Sequence, residues 1–393
     1  MINETIGKLG FGLMRLPKNG EEIDVEQTKQ MVDLFMDAGF NYFDTAWAYE
    51  GSEEAIRKAL VERYPRDSFY IASKHAGWIA GKEGDEALKL LDESLERAGL
   101  EYFDFYLIHN AGEWRTGYFD RNDLWNWALE QKQAGKFKHL GFSAHATAEE
   151  LDQLLTDHPE MEFVQLQLNY ADWENPVIQS RRCYEVARKH NIPIIVMEPV
   201  KGGMLATPPA SVEKVFQDFA PELSCASWAV RFAADLEGVM CVLSGMSNVE
   251  QMEDNLSYMK GFTGFTEEER AVLAKAREEL DKIDLIQCTS CDYCAKVCPV
   301  NVAISRTLFA VNYYRMFGNL ELARHQENLG ASMYGRKFAR ECIRCGKCEE
   351  VCTQHLKIRD HLQEAVDLFG SGAQEEKQRN KGSGAIRGAG SAR

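Results

Sequence analysis

Short apolar runs alternate with amphipathic stretches along the first two thirds of the chain. The runs are rich in Val, Ile, Phe and Tyr and nearly continuous in apolar character, as expected of strands covered on both faces. They predict eight strands, at Lys8–Leu13, Asn41–Thr45, Tyr70–Lys74, Phe105–His109, His139–Ser143, Phe163–Leu168, Pro193–Glu198 and Val239–Leu243.

Helical spacing of apolar residues fills the intervals between these strands. Residues 25–38 place Met31, Val32 and Phe35 on one face, and Gly39 follows where a helix C-cap favours glycine. The same kind of pattern predicts helices at Glu53–Arg63, Glu83–Ala98, Asn122–Ala134, Ala148–Leu155, Asn175–His190, Pro221–Ala234 and Val249–Met259.

Strands and helices that alternate in this way over residues 1–265 predict a (β/α)8 TIM barrel. The alternative is a doubly wound open sheet, which would place a glycine-rich turn after its first strand. Gly7, Gly10 and Gly12 lie before and within that strand instead, and the G-x-G-x-x-G spacing is absent. The barrel is therefore favoured.

Three further segments follow the predicted barrel. Residues 266–284 begin with a threonine cap followed by acidic residues, which predicts a connecting helix. Residues 285–368 are cysteine-rich with a helical middle at Ser305–Arg340, which predicts a small, mainly helical domain. Residues 369–393 are polar and rich in glycine, so we expect a disordered tail.

The charge and composition of the chain indicate which kinds of binding partner are disfavoured. The 393 residues include 61 acidic and 45 basic side chains, for a net charge of −16. This balance disfavours binding to nucleic acid or to an anionic membrane surface. No apolar run approaches the ~20 residues that span a bilayer, and the N-terminus lacks a signal-peptide pattern. We expect a soluble cytoplasmic protein.

Eight of the eleven cysteines form two motifs of identical spacing in the last third of the chain. C-x2-C-x2-C-x3-C binds [4Fe–4S] clusters in bacterial ferredoxins, where the fourth cysteine of each motif ligates the other cluster. Disulfides are disfavoured in a large cytoplasmic chain, and a pair of zinc sites would not need this spacing. The predicted ligand sets are Cys288, Cys291, Cys294 and Cys352 for one cluster, and Cys342, Cys345, Cys348 and Cys298 for the other.

Four polar residues at predicted strand ends and in one loop form a second candidate site. Asp44, Lys74 and His109 end three strands, and Tyr49 follows Asp44 by five residues. Barrel enzymes carry their chemistry at these strand ends. A nearby Lys74 ammonium should lower the pKa of Tyr49 and make it a better acid, while Asp44 holds Lys74 and His109 orients a carbonyl oxygen. The set predicts carbonyl reduction.

The motif FDTAWAYEGSEEAIRKAL around Asp44 and Tyr49 resembles the aldo-keto reductase family, and LGFGLMRLP, YPRDSF and MEPVKGG resemble its subgroup with two C-terminal [4Fe–4S] motifs. The resemblance covers about residues 6–360. It implies a catalytic tetrad of Asp44, Tyr49, Lys74 and His109, and NADP or NAD bound across the barrel mouth. The implied cofactor contacts are Ser143, Gln165, Lys201, Gly202, Gly203, Gly245, Ser247, Gln251 and Asn255.

Some positions depart from the family pattern. Ala144 stands where asparagine is common, and Met197 stands where an aromatic residue stacks on the nicotinamide. Glu198 brings an acidic group to the path of the phosphates unless Lys201 offsets its charge. A barrel that keeps its tetrad but binds another cofactor is the alternative.

A hydride carries two electrons and a [4Fe–4S] cluster accepts one, so coupling the two halves requires a flavin, a radical intermediate of the substrate or another carrier that splits the pair. Basic residues near the second motif suggest a dock for an acidic ferredoxin or flavodoxin, with a solvated basic face as the alternative. They are Arg336, Lys337, Arg340, Arg344 and Lys347.

We therefore predict an oxidoreductase that interconverts a small carbonyl and an alcohol. The alternatives are an electron-transfer protein whose barrel binds a partner without turnover, and clusters that only hold the C-terminal domain together. The substrate and the oligomeric state are not indicated by the sequence.

Overall fold

The computed structural model describes residues 2–370 apart from 3, 21, 113, 177, 287, 289–292, 334, 351 and 353–355. The predicted tail beyond Gly370 lies outside the described residues. The chain divides into two compact units, one of residues 1–207 and 213–277, the other of residues 208–212 and 278–393. No helix within the described ranges is both long enough and apolar enough to cross a bilayer.

Eight parallel strands close into a barrel in the first unit, as the hydrophobic pattern predicts. A two-stranded antiparallel hairpin, which the pattern did not predict, follows the first of them. The strands are β1 Leu9–Gly12, β2 Lys18–Asn19, β3 Glu22–Ile23, β4 Tyr42–Asp44, β5 Tyr70–His75, β6 Phe103–Ala111, β7 Phe137–Ala144, β8 Phe163–Gln167, β9 Ile194–Met197 and β10 Val239–Ser244. Strands β2 and β3 form the hairpin, and β1 closes the barrel by pairing with both β4 and β10.

Both faces of the barrel strands are buried, which explains their continuous apolar character. Inside the barrel, the ring of Phe105 lies edge-on to Tyr42 at 5.2 Å and to Phe163 at 5.3 Å between centroids. The opposite strand faces pack against the surrounding helices in a larger apolar cluster. This packed interior closes the barrel below the strand ends.

The helices of the chain lie mainly between the strands and in the second unit. They are α1 Val25–Asp37, α2 Ser52–Ile56, α3 Gly77–Ala80, α4 Asp85–Leu88, α5 Leu90–Ala98, α6 Trp114–Arg121, α7 Leu124–Gln133, α8 Ala148–Asp157, α9 Ser180–Lys189, α10 Ala210–Phe219, α11 Cys225–Asp235, α12 Val249–Met259, α13 Glu267–Asp281, α14 Tyr293–Lys296, α15 Ile304–Phe317, α16 Leu320–Met333, α17 Lys347–Glu350 and α18 Ile358–Phe369.

Two predicted helices are divided in the structure. The helix predicted at 53–63 consists of α2 and a π-helical segment, Arg57–Val61. The helix predicted at 83–98 consists of α4 and α5. The helical middle predicted at 305–340 contains α15 and α16, and α15 ends at Gly318, which adopts a left-handed conformation (φ 61°).

The second unit is held by polar contacts as well as by apolar packing. Asn312 on α15 donates to the carbonyl oxygen of Ile286 and accepts from its amide, at 2.8 and 2.7 Å. Arg315, also on α15, forms a two-point ion pair with Glu364 on α18. These contacts fix the start of the cysteine-rich segment and the last helix to the same helix.

Candidate active site and cluster site

A buried ion pair lies at the C-terminal ends of β4 and β5. The Lys74 Nζ donates to Asp44 Oδ1 at 2.5 Å and to the carbonyl oxygen of Thr45 at 2.7 Å. Asp44 Oδ2 accepts from Nε2 of Gln165 at 3.1 Å. Asp44 and Tyr49 raise the pKa of Lys74 despite its burial, so the ammonium stays charged.

Tyr49 and His109 lie next to this pair. The Nζ of Lys74 is 4.8 Å from the centroid of the Tyr49 ring, and the ring centroids of Tyr49 and His109 are 6.0 Å apart. The structure therefore brings all four predicted tetrad residues together. Trp78 closes one side, since its indole donates to the His109 carbonyl oxygen at 2.9 Å.

Electrostatics distinguish the two candidate proton donors. Burial and Lys74 lower the pKa of His109 well below its usual value, so the imidazole is neutral. Burial raises the pKa of Tyr49, and Lys74 lowers it without reversing the net direction. The predicted effect of Lys74 is thus present but smaller than that of burial, and Tyr49 stays protonated.

Two residues implied as nicotinamide contacts already have protein partners. Ser143 Oγ accepts from the backbone amide of Asn110 at 2.8 Å, and a hydroxyl can donate at the same time. Gln165 donates to Asp44 at 3.1 Å. Both side chains are buried at the rim of the barrel, on β7 and β8. The sequence predicted these two residues as cofactor contacts but did not predict their hydrogen-bond partners within the protein.

Lys201 does not offset Glu198, contrary to one option raised by the sequence. Its ammonium is paired with Asp172, a carboxylate only 1% exposed. Glu198 and Lys201 both have positive φ, 53° and 49°, in a loop completed by Gly202 and Gly203. Four residues of this loop therefore have left-handed backbone conformations. The Glu198 carboxylate is partly exposed.

Arg15 is a residue that the sequence reasoning missed. It follows β1 and donates from Nη1 to the carbonyl oxygen of Gly202 at 2.7 Å. A Cβ added to Gly245 would lie 3.9 Å from its Cβ and Cδ. Arg15 therefore places an exposed cation between the two glycine loops implied as phosphate contacts. Only the three-dimensional arrangement reveals it, because Arg15 and Gly202 are far apart in sequence.

The remaining implied contacts gather at the N-terminus of α12. Gln251 Oε1 accepts from the backbone amide of Ser247 at 2.8 Å, and Asn255 Nδ2 donates to the Gln251 carbonyl oxygen at 2.9 Å. Asn248 caps the helix by accepting from the Gln251 amide. The buried Asn255 Oδ1 has no partner within the part of the chain that the structure describes.

Four cysteines from both motifs line one cavity in the second unit. They are Cys298, Cys342, Cys345 and Cys348, and the walls between them include Val300, Val302, Ile304 and Ile343. Two backbone amides point at the sulfurs: that of Val302 at Cys298 (3.3 Å) and that of Arg344 at Cys342 (3.4 Å). Four thiols, apolar walls and amide donors are the environment of a [4Fe–4S] cluster.

Of the other predicted ligand set, Cys291 lies outside the described residues. Cys294 is buried, and Cys288 and Cys352 are partly exposed. Among the basic residues near the second motif, Arg344 lies 3.6 Å from Asp360 and Lys337 lies 3.8 Å from Glu341.

Residues 8–278 match the model of the aldo/keto reductase family. The chain belongs to the aldo/keto reductase family. This confirms the resemblance and identifies the chain as a member of a family of oxidoreductases. Residues 287–357 match the 4Fe-4S dicluster domain, which confirms the second half of the resemblance.

Known aldo-keto reductases resemble the barrel part of the chain. One from Mycolicibacterium vanbaalenii is 28% identical over 256 residues, which is 65% of this chain and 83% of that protein. The solved structure of an aldo-keto reductase from Bacillus halodurans in its holo form has a TM-score of 0.56 at 22% identity, covering 68% of this chain and 91% of its own. One from Klebsiella pneumoniae in complex with NADPH has a TM-score of 0.56 at 20% identity, covering 69% and 90%. The two structures support the fold alone.

Proposed function

We propose that the barrel interconverts a small carbonyl compound and its alcohol. The observation that carries this proposal is the buried Asp44–Lys74 pair beneath Tyr49, next to a neutral His109. Lys74 holds a positive charge close to the Tyr49 ring, and it stabilises the phenolate left after a proton is donated. The neutral imidazole of His109 has one N–H, which orients a carbonyl oxygen toward Tyr49.

A bound nicotinamide would supply the hydride in this reaction. Arg15 would hold its phosphates, together with the loop of Lys201, Gly202 and Gly203 and the loop of Gly245 and Ser247. Ser143 and Gln165 would contact the carboxamide, and Gln251 and Asn255 the adenosine end. The NADPH-bound structure from Klebsiella pneumoniae supports this arrangement only in that its fold is similar to that of the barrel.

The second candidate function is electron transfer without carbonyl turnover, with the barrel binding a different cofactor or a partner. Glu198 favours it, because this carboxylate is not neutralised by Lys201 and lies where phosphates would pass.

One anaerobic preparation with intact clusters separates the two. Reduction of a panel of small aldehydes and ketones by NADPH or NADH should be measured in the wild type and in Tyr49→Phe, with iron, sulfide and flavin assayed on the same sample. We expect a loss of about 10²–10⁴-fold in Tyr49→Phe, the usual contribution of a positioned acid. Reducible clusters without any Tyr49-dependent activity would favour the second function.

We further propose two [4Fe–4S] clusters in the second unit, which transfer electrons and suit a reducing, cytoplasmic compartment. Cys342, Cys345, Cys348 and Cys298 would ligate one, and Cys288, Cys291, Cys294 and Cys352 the other. The cavity shared by cysteines of both motifs supports the first set.

An acidic ferredoxin or flavodoxin would dock on the basic residues near the second motif. Arg340→Glu, Arg344→Glu and Lys347→Glu together should slow cluster reduction by such a carrier at low salt, and added salt should reduce the difference. A matched control reverses three exposed lysines of the barrel, Lys58, Lys89 and Lys260, for the same change in net charge. Equal rates in the two triple variants would exclude the dock.

A further inference from the structure

A positive charge lies beside the cavity that the four cysteines share. Arg359, in the first turn of α18, is one of the described residues that line this cavity together with the cysteines. Its Cζ and Nη1 both lie 3.7 Å from the position that a Cβ on Gly346 would take. Gly346 directly follows Cys345 in the second motif. The guanidinium therefore lies against the backbone of that motif, in the wall of the cavity.

Glu349 holds this guanidinium in place. Its Oε2 accepts from Nε of Arg359 at 2.8 Å and lies 2.6 Å from Nη2, and its Oε1 accepts from the Arg359 backbone amide at 2.8 Å. Glu349 directly follows Cys348, and its own amide donates to the carbonyl oxygen of Gly346 at 2.9 Å. One carboxylate thus ties the side chain of Arg359 and the first turn of α18 to the cysteine motif.

Arg344 provides a second link between the motif and α18. Its backbone amide donates to Cys342 Sγ at 3.4 Å, and its Nη1 donates to the carbonyl oxygen of Arg359 at 3.2 Å. The backbone of Arg359 is therefore bonded on its amide side by Glu349 and on its carbonyl side by Arg344. Ligation of iron uses the sulfurs alone, so a cation fixed in this way acts on the bound group through its charge.

We propose that Arg359 raises the reduction potential of the cluster that this cavity would hold, and that Glu349 limits the increase. Reduction transfers one electron from the proposed ferredoxin or flavodoxin and adds one negative charge next to the guanidinium. A nearby cation stabilises the reduced form more than the oxidised form, and a carboxylate has the opposite effect. Weaker reductants can then deliver an electron to this cluster. The inference rests on the proposed [4Fe–4S] clusters.

The test measures the midpoint potentials of the anaerobic holoprotein by redox titration followed by EPR. In Arg359→Met, the ratio of reduced to oxidised cluster at a given potential should fall about threefold, which equals a decrease of about 28 mV in one of the two midpoints. The effect is moderate because the side chain is 42% exposed and water weakens its charge. Glu349→Gln keeps an oxygen for the amide of α18 but removes the negative charge, and should raise the same midpoint.

Two further variants separate an electrostatic role from an ion pair that only joins α17 to α18. Arg359→Lys keeps the charge and should keep the midpoint close to that of the wild type. Arg324→Met on α16 makes the same change in net charge at an arginine that is also paired, with Glu321 at 2.9 Å, but is not among the described residues lining the cavity. It should leave both midpoints unchanged. Shifts of Arg359→Met and Glu349→Gln in the same direction would overturn the inference.

Iron and sulfide assays on every sample separate this inference from the proposal on which it rests. A wild type without iron and sulfide overturns the proposed clusters and the inference with them. Full iron content with unshifted midpoints in Arg359→Met and Glu349→Gln overturns the inference alone. If Arg359→Met does not retain its iron, the direction of the shift in Glu349→Gln decides.

Discussion

The two rims of the barrel differ in how their polar groups are hydrogen-bonded. At the N-terminal rim, Asp104 and Glu162 each accept three hydrogen bonds, from side chains and from one backbone amide. At the C-terminal rim, Nδ1 of His109 and Oδ1 of Asn110 have no partner among the described residues, and Arg15 is exposed. Polar groups that have partners stabilise a fold, and polar groups without a partner remain available to a ligand. The C-terminal rim thus combines the paired Asp44 and Lys74 with groups that a ligand can still bind, whereas the N-terminal rim groups described here are paired.

Lys74→Met should have the largest effect, because Lys74 both neutralises the buried Asp44 and lies against the ring of Tyr49. The substitution leaves Asp44 buried without its partner, which costs about 3–5 kcal/mol of the free energy of unfolding, and it should also lower kcat by more than about 10²-fold. Urea unfolding and steady-state kinetics measure the two effects. The double variant Asp44→Asn, Lys74→Met should recover stability but not activity. A double variant that regains activity would contradict the proposed role of the pair.

Asp104→Asn tests the N-terminal rim alone. The change removes the charge that binds Arg66 and Lys138, and we expect a loss of about 2 kcal/mol of stability with kcat unchanged. Both basic partners are partly exposed and regain water, which limits the loss. A matching loss of activity at a temperature where the variant is folded would show that the rims are not separate.

The dependence of stability on pH should also arise at the N-terminal rim. Glu162 and Glu4 raise the pKa of His139 although burial opposes them, so its stabilising effect is present below pH ~6.5 and is lost as the pH rises through the raised value. Burial opposes the ionised form of Glu162 as well, but hydrogen bonds from His139 and Lys132 lower the pKa of Glu162 to about 2. The stabilising effect of the ionised Glu162 is therefore lost as the pH falls from about 4.5 toward 2.

Considering His139 and Glu162 alone, we therefore expect the barrel to be most stable between about pH 4.5 and 6.5. His139→Gln should flatten the decrease in unfolding free energy above pH 6.5. Urea titrations at several pH values, in wild type and variant, provide the measurement. If the unfolding free energy depends on pH in the same way in both proteins, His139 is not the origin of the decrease above pH 6.5.

Arg15→Met should have the smallest effect, on binding alone. Loss of the cation between the two glycine loops should raise the Kd of NADPH about tenfold, as for one charge-assisted hydrogen bond, and leave the unfolding free energy unchanged. Lys18→Met, an exposed lysine of the hairpin, is the matched control. Cofactor fluorescence measures the Kd directly. Equal affinities in both variants would remove Arg15 from the cofactor site.

The sequence predicted the elements that depend on local pattern, and less of what depends on long-range contact. The eight strands follow from continuous apolar runs, and the positions of Asp44, Lys74 and His109 follow from where those runs end. Arg15 was missed because its partner, Gly202, comes from the opposite end of the barrel sequence. The partner of Lys201 was missed for the same reason: Asp172 is buried by the fold, and no local signal marks it.

The gathering of Cys298 with Cys342, Cys345 and Cys348 has a consequence for how the second unit folds. A cluster bound to these thiols would cross-link positions 298 and 342 and enclose α15 and α16 in a closed loop of about 45 residues. By loop-closure entropy, such a link destabilises the unfolded chain by about 4 kcal/mol. Insertion of iron and folding of these helices would then be thermodynamically one event, and removal of the iron would loosen a segment that contains no iron ligand at all.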